Sequence, residues 1–310
     1  MSKEVENPSF QNENDTSTPE REASWYEEFK TQHGRPLRVL HIGNIANNAY
    51  LNSKILRKIG VKSDVLCCDY YHVMGCPEWE DADFSGDWGD DCAPKWHELD
   101  LKGFDRPEWF VQGPIFDCLS YLKARNSLQL GDSERLKDSL DCKAGLSSES
   151  KGHFQQDVEV EVEDGCCQEL ADVSPVHEGL VDFAHTMKRL KALYTKHFSE
   201  RPDNLLESDL IGYSGLLKPL FDVFNYYDVI HAYSTNGIYP LLVGKSYVAY
   251  EHGTLRGIPF EHKSQGRLCA LTYKAADAVA ITNCDAIDSV DKLEISNFKF
   301  IPHPINEERF

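Results

Sequence analysis

The segment Glu251-His252-Gly253-Thr254-Leu255-Arg256 combines three side chains that could do chemistry. A carboxylate, an imidazole and a guanidinium surround Gly253, whose missing side chain lets the backbone approach a ligand closely. His252 could hydrogen-bond a sugar hydroxyl or take part in proton transfer. Arg256 could contact a phosphate. The alternative interpretation is a histidine that only ties down its own loop.

A second candidate is the turn Gly43-Asn44, which separates the apolar run Leu37–Ile42 from a helix predicted near residues 48–59. Such a turn can bring backbone N–H groups and a helix N-terminus to a phosphate. It contains a single glycine and not G-x-G-x-x-G, so the dinucleotide-binding fingerprint is absent. A plain connection between strand and helix is the competing interpretation.

Asp81-Ala82-Asp83 matches the D-x-D pattern with which some sugar transferases hold a divalent cation through oxygen ligands. It lies in a very acidic stretch and does not follow a predicted strand, so a chance match is favoured. We therefore predict no metal site and no resident cofactor. The chain also lacks a P-loop, a G-x-S-x-G elbow and an H-E-x-x-H helix.

Short apolar runs alternate with amphipathic segments in the order expected of repeated strand-helix units. This alternation predicts an α/β fold with a Rossmann-like, doubly wound parallel sheet. The predicted strands are Leu37–Ile42, Asp64–Cys68, Tyr227–His231, Ser246–Tyr250, Ala278–Thr282 and Phe298–Ile301.

Ligands of open α/β sheets bind at the carboxyl ends of the strands. Polar residues and glycines recur at the predicted strand ends, whereas the strands themselves are apolar. We therefore predict that these ends form one rim that binds substrate, with His252 as the catalytic candidate. The binding residues predicted beside it are Gly43, Asn44, His231, Glu251, Gly253, Arg256 and Asn283.

The remaining segments differ in composition from the repeated units. The composition of residues 1–33 predicts a mostly disordered tail that ends in a short helix around Trp25, Tyr26 and Phe29. Residues 34–305 predict one domain. Its tryptophan-rich stretch 69–113 is expected to be packed, and its acidic insertion 128–176 is expected to have low order. An edge strand at Val158–Glu163 is the alternative for part of that insertion. Residues 306–310 are expected to begin a linker.

The net charge of −19 is concentrated in three segments, because residues 1–30, 69–100 and 128–176 carry −5, −9 and −8 and the remainder carries +3. This distribution argues against a nucleic-acid partner. No secretory signal, no run of 18 apolar residues and no C-x-x-C motif is visible in the sequence. These features favour reduced thiols in a cytoplasmic protein, with peripheral attachment to a membrane left open.

Together these segments resemble the N-terminal domain of GT-B glycosyltransferases of the family-four type. The resemblance covers about residues 37–68 and 227–310, and it depends on the order of its motifs. Those motifs are Arg38–Gly43, Asp228–Tyr233, Tyr250–Gly253, Ala275–Asn283 and Phe300–Asn306.

The resemblance implies a retaining enzyme that moves a sugar from a nucleotide-sugar to an acceptor, which could be a glycan, a lipid or a small molecule. It implies that this chain supplies the acceptor-side domain, and that a C-terminal domain binding most of the donor is missing. Gly43 corresponds to the family's glycine loop near the donor diphosphate, and His252 to a histidine that faces the transferred sugar. The acidic insertion and the tryptophan-rich stretch are not general features of the family.

Other hypotheses stay open. One is a non-catalytic or regulatory binding module with the same fold. Another is one subunit of a split transferase whose donor domain is a separate chain. A metal-dependent transferase of the other major fold would require Asp81 and Asp83 at a strand end that faces a cleft.

Overall fold

The structure is a computed structural model that describes residues 19–147 and 182–305, except for the side chains of residues 19–24. The chain divides into two compact units, residues 1–37 and 38–310. The first unit contains helix α1, Pro19–His33. The predicted helix around Trp25, Tyr26 and Phe29 is thus confirmed.

The second unit is built on a parallel sheet of seven strands, which confirms the predicted doubly wound α/β architecture. The strands run in the order β5-β2-β1-β6-β7-β8-β9, and β3 and β4 form a separate hairpin. Most sheet strands are buried on both faces, as expected of parallel strands in a sheet covered by helices. Their bounds are β1 Arg38–Ile42, β2 Lys62–Cys68, β3 Gly89–Asp90, β4 Ala93–Pro94, β5 Phe110–Gly113, β6 Val229–Tyr233, β7 Tyr247–Tyr250, β8 Ala278–Ile281 and β9 Phe298–Phe300.

The strand order reverses between β1 and β6. From β1 the chain builds outward through β2 and β5, then returns to place β6 on the other side of β1. Val39 pairs with Val229, and His41 pairs with His231. In sheets of this type the crevice outside the carboxyl ends of the strands at the reversal is the usual place for a ligand.

Helices cover the sheet, and the two clusters of buried side chains packed on it differ in composition. Leu40, Ile42 and Leu66 belong to the larger, mainly aliphatic cluster. Tyr50, Tyr233 and Tyr250 belong to a smaller cluster that is rich in tyrosine. The remaining helices are α2 Asn48–Lys58, α3 Pro77–Asp81, α4 Ile115–Asn126, α5 Leu130–Lys143, α6 Phe183–His197, α7 Leu217–Phe224, α8 Ile238–Leu242, α9 Ser264–Ala275 and α10 Ile287–Lys292.

The tryptophan-rich stretch 69–113 is a packed excursion, as predicted. The Trp96 side chain is completely buried, and Val73 and Cys76 pack with it. Trp79 and Trp88 meet edge to face, with ring centroids 5.4 Å apart. This small aromatic core explains why so polar a segment folds against the sheet.

The prediction of low order was wrong for the first part of the acidic insertion, because residues 130–143 form helix α5. Leu140 is 4% exposed and belongs to the main core. A side chain at Gly113 of β5 would lie 2.5 Å from Leu140 Cδ2, so the strand and the helix are in close contact. The predicted edge strand Val158–Glu163 and the predicted linker 306–310 lie outside the described residues.

Cys67 is buried within β2 and makes no disulfide. Among the described residues, the structure contains no helix with the length and apolar character needed to cross a membrane.

Candidate functional site

The carboxyl ends of β1, β6, β7 and β8 meet along one edge of the sheet, and most of the predicted residues lie there. The connection after β1 contacts the one after β6 at Gly43, where an added Cβ would lie 2.4 Å from Asn236 Nδ2. Gly43 has φ +88°, a conformation that favours glycine. Its N–H donates to the Leu66 carbonyl at 2.8 Å. Gly43 therefore provides close packing at the sheet's reversal, and its own N–H is engaged within the sheet.

The side chain of Asn44 is 1% exposed and fully used inside the protein. Its Nδ2 donates to Asn47 Oδ1 at 2.9 Å and to the Gly75 carbonyl at 2.8 Å. Its Oδ1 accepts from the Tyr50 N–H at 3.0 Å. These bonds fix the turn before α2 to the excursion 69–113. Because both polar atoms of the side chain are engaged, only the backbone of Asn44 could bind a ligand. A binding role for Asn44 therefore stays a prediction.

Glu251 follows β7 and is completely buried. Its carboxylate accepts from the Gly253 N–H and, at Oε2, from Asn283 Nδ2 at 3.2 Å. The Thr282 hydroxyl lies 2.9 Å from the Glu251 carbonyl oxygen and 3.3 Å from Oε2. This arrangement joins the loop after β7 to the loop after β8, so the structure brings the predicted residues Glu251, Gly253 and Asn283 together.

Arg256 lies at the exposed side of the same loop. Its guanidinium donates to Asp285, with Nε–Oδ2 and Nη2–Oδ1 distances of 2.7 and 3.2 Å. Both side chains are more than half exposed, so this ion pair contributes little to stability. Arg256 is therefore free to exchange Asp285 for an anionic ligand at low cost.

His252 lies between aromatic rings at the carboxyl end of β7. Its ring centroid is 5.6 Å from those of Tyr233 and Tyr250 and 5.0 Å from that of His303. Its Nε2 is buried and has no hydrogen-bond partner in the described part of the chain. Burial, together with the neighbouring His303, lowers its pKa to about 4, so the imidazole is neutral at pH 7.

His303 completes the site, although sequence reasoning did not include it among the site residues. It follows β9, and its Nδ1 lies 2.9 Å from Oδ1 of Asn48, the first residue of α2. The only sequence signal was its position in the motif Phe300–Asn306. The contact joins residues 255 positions apart, so local patterns could not have revealed it.

The prediction that His231 ends a strand was wrong, because β6 continues to Tyr233. His231 instead lies within the sheet beside His41, with ring centroids 4.9 Å apart. Its Nδ1 is buried without a partner among the described residues, and burial lowers its pKa to about 4. Its position within β6, two residues before the end of the strand, separates His231 from the rim.

His41 connects His231 to Tyr233, one of the rings beside His252. Its Nδ1 lies 2.9 Å from the Tyr233 hydroxyl, which also accepts from Asn52 Nδ2 at 2.9 Å. The hydroxyl accepts from Asn52, and its own proton can be donated to His41 Nδ1. The other ring nitrogen of His41, Nε2, is buried and has no partner in the described residues. A continuous array of imidazole and phenol rings runs from His231 to His303.

The D-x-D segment does not face this site with two free carboxylates. Asp81 ends the short helix α3 and pairs with Lys54 at 2.7 Å and with the Tyr50 hydroxyl at 2.5 Å. Asp83 is exposed on a loop. The hypothesis of a metal-dependent transferase with these ligands is therefore wrong. No group of three potential metal-ligating side chains occurs within residues 19–147 and 182–305.

A shallow cleft lies elsewhere, beside β5, α4 and α5. Its cations are already engaged, because Arg106 forms a bidentate pair with Glu78 and Lys137 pairs with Asp141 at 2.6 Å. It contains none of the predicted site residues, so the strand-end rim remains the better candidate.

No protein-family model, no curated protein and no solved structure matches this chain. The functional argument therefore depends on the fold and on the geometry of the strand-end rim.

Proposed function

We propose that residues 38–305 form the acceptor-side, Rossmann-like domain of a retaining glycosyltransferase that uses a nucleotide-sugar. In this proposal a second domain, within the same polypeptide or from another chain, binds most of the donor. The observation that carries the proposal is His252, a neutral imidazole with an unpartnered Nε2 at the carboxyl edge of a doubly wound sheet.

A neutral imidazole suits a sugar better than an imidazolium does. It can donate and accept a hydrogen bond at the same time, as a hydroxyl group does. Buried polar atoms are normally hydrogen-bonded, and one that is not is a candidate for a role in binding or catalysis. A hydroxyl of the transferred sugar would supply the missing partner of His252 Nε2.

Two further features support the binding of a diphosphate nearby. The 11-residue helix α2 begins at the carboxyl end of β1, and a helix N-terminus stabilises negative charge. Arg256 is held only by an exposed ion pair and can turn to a phosphate. Both would stabilise charge that develops on the leaving diphosphate.

The direct test is a transfer assay on the protein expressed from its complete reading frame. The assay measures nucleoside diphosphate release from UDP-glucose, UDP-N-acetylglucosamine, GDP-mannose and related donors, with and without extracts containing acceptors. Acceptor-dependent release with one donor supports the proposal. Release by none of the donors, from a protein that contains both domains, would contradict it and favour a non-catalytic binding module.

A further inference from the structure

His303 lies in a short segment that is lightly attached to the sheet. In residues 301–305, the Ile301 N–H donates to the Ile281 carbonyl at 2.8 Å, and His303 bonds Asn48. Ile301, Pro302 and Ile305 are exposed. Prolines on both sides of His303 remove two further N–H donors. The side chain of His303 is thus the main attachment of this segment to the site.

The partner of His303 is Asn48 Oδ1, an acceptor that is held in one orientation. Asn48 is 4% exposed, and its Nδ2 donates to the Ile45 carbonyl at 3.1 Å. This bond fixes the orientation of the amide, so Oδ1 is the atom that faces His303. Because Oδ1 can only accept, His303 donates from Nδ1.

His303 satisfies Asn48 but not His252. Its ring centroid lies 5.0 Å from that of His252, with the two planes inclined at 30°, and His252 Nε2 has no hydrogen-bond partner among the described residues. An unpaired buried polar atom costs free energy. A ligand that replaced the His303 ring and offered one hydroxyl to Asn48 Oδ1 and another to His252 Nε2 would remove that cost.

From this geometry we propose that Asn48 is a ligand-binding residue, and that His303 fills the ligand's place when the site is empty. The place has the size of one ring, with a buried acceptor at one side and an imidazole at the other. A hydroxylated sugar ring fits this chemistry. The identification of the ligand as a sugar rests on the proposed function, whereas the displacement of His303 rests on geometry alone.

Acylation of histidines by diethylpyrocarbonate, followed by peptide mass spectrometry, measures access to His252 without any substrate. In the wild type we expect His252 to react at least 10-fold more slowly than the exposed His185. His303→Ala should remove most of this protection, and Asn48→Ala, which leaves His303 without its acceptor, should remove part of it. Unchanged reactivity of His252 in both variants would overturn the proposal.

Chemical rescue tests Asn48 directly. The probe 4-methylimidazole replaces the missing side chain, so it should raise the Tm of His303→Ala and leave that of the wild type unchanged. The rise should disappear in the double variant His303→Ala/Asn48→Ala. A rise that persists without Asn48, or no rise at all, would overturn its assignment as a ligand-binding residue.

The same His303→Ala protein is then titrated with the nucleotide-sugars of the transfer assay. Tighter binding than in the wild type is the expected result. If rescue by 4-methylimidazole succeeds and no nucleotide-sugar binds to a protein that contains both domains, the failure lies in the proposed function and not in the displacement of His303.

Discussion

His41 and His231 are directly paired across β1 and β6, and their imidazole rings meet nearly edge to face at 76°. Two imidazoles so close within a sheet must both be neutral, because protonating either one places an unsolvated charge beside the other. Burial lowers the pKa of both, that of His231 to about 4.

This pair predicts a loss of stability in mild acid. The unfolded chain protonates His231 near pH 6.5 and the folded chain near pH 4, so the unfolded state binds more protons between these values. The free energy of unfolding should therefore fall as the pH drops from 6.5 to 4, by about 2–3 kcal/mol from His231 alone. Urea unfolding at several pH values measures this change.

His231→Leu should remove the share of that acid dependence that His231 causes and leave the shares of His41 and His252, whereas the exposed His185→Ala should leave the dependence unchanged. An equally steep dependence in His231→Leu would show that other groups cause it.

A second prediction concerns Gly43. Gly43→Ala forces a side chain into a left-handed conformation and against Asn236 Nδ2, which must give up its hydrogen bond to the Tyr233 carbonyl. We expect a loss of about 2–3 kcal/mol in the free energy of unfolding. Gly103→Ala is the matched control, because Gly103 has φ +83° and nothing within 4 Å of the added Cβ. Equal losses in the two variants would contradict close packing at Gly43.

A third prediction concerns the buried carboxylate of Glu251. Glu251→Gln replaces one accepting oxygen with an NH₂ group that faces donors, so the loops after β7 and β8 should separate. The expected loss is about 2 kcal/mol. Glu261→Gln, at a side chain 46% exposed, should change the stability little. Guanidinium unfolding of both variants makes the comparison, and a Glu251→Gln protein as stable as the wild type would refute this role.

A fourth prediction separates the two aspartates of the D-x-D segment. Asp81→Asn weakens the bonds to Lys54 and Tyr50 and should cost about 1–2 kcal/mol. Asp83→Asn should cost almost nothing, because Asp83 is exposed. Adding Mn²⁺ should not raise the Tm of the wild type or of either variant. A rise in Tm with Mn²⁺ that both substitutions abolish would restore the metal hypothesis.

The sequence predicted six of the seven sheet strands, because runs such as Ala278–Ile281 are apolar and largely buried. It missed β5, Phe110–Gly113, because this short strand lies inside the polar, tryptophan-rich stretch 69–113. Strand ends were less certain. Tyr227 was assigned to β6, but it precedes the strand, packs in the main core and donates from its hydroxyl to Asp64 at 2.8 Å. Because the predicted strand began and ended two residues too early, His231 was placed at the end of β6 and therefore at the rim.

Tertiary contacts account for what could not be predicted. Helix α5 is polar, and its close packing through Leu140 on Gly113 is visible only in the fold. The predicted rim included His252, Glu251 and Asn283, which do lie together. It missed His303 and Asn48, because their contact depends on how the end of β9 meets the start of α2.

The role of His252 is the central claim, and the most direct test compares kcat for sugar transfer in the wild type and in His252→Ala. We expect kcat to fall about 100-fold while the far-UV spectrum and Tm change little. His185→Ala should keep the wild-type rate. Unchanged turnover in a folded His252→Ala protein would contradict the account.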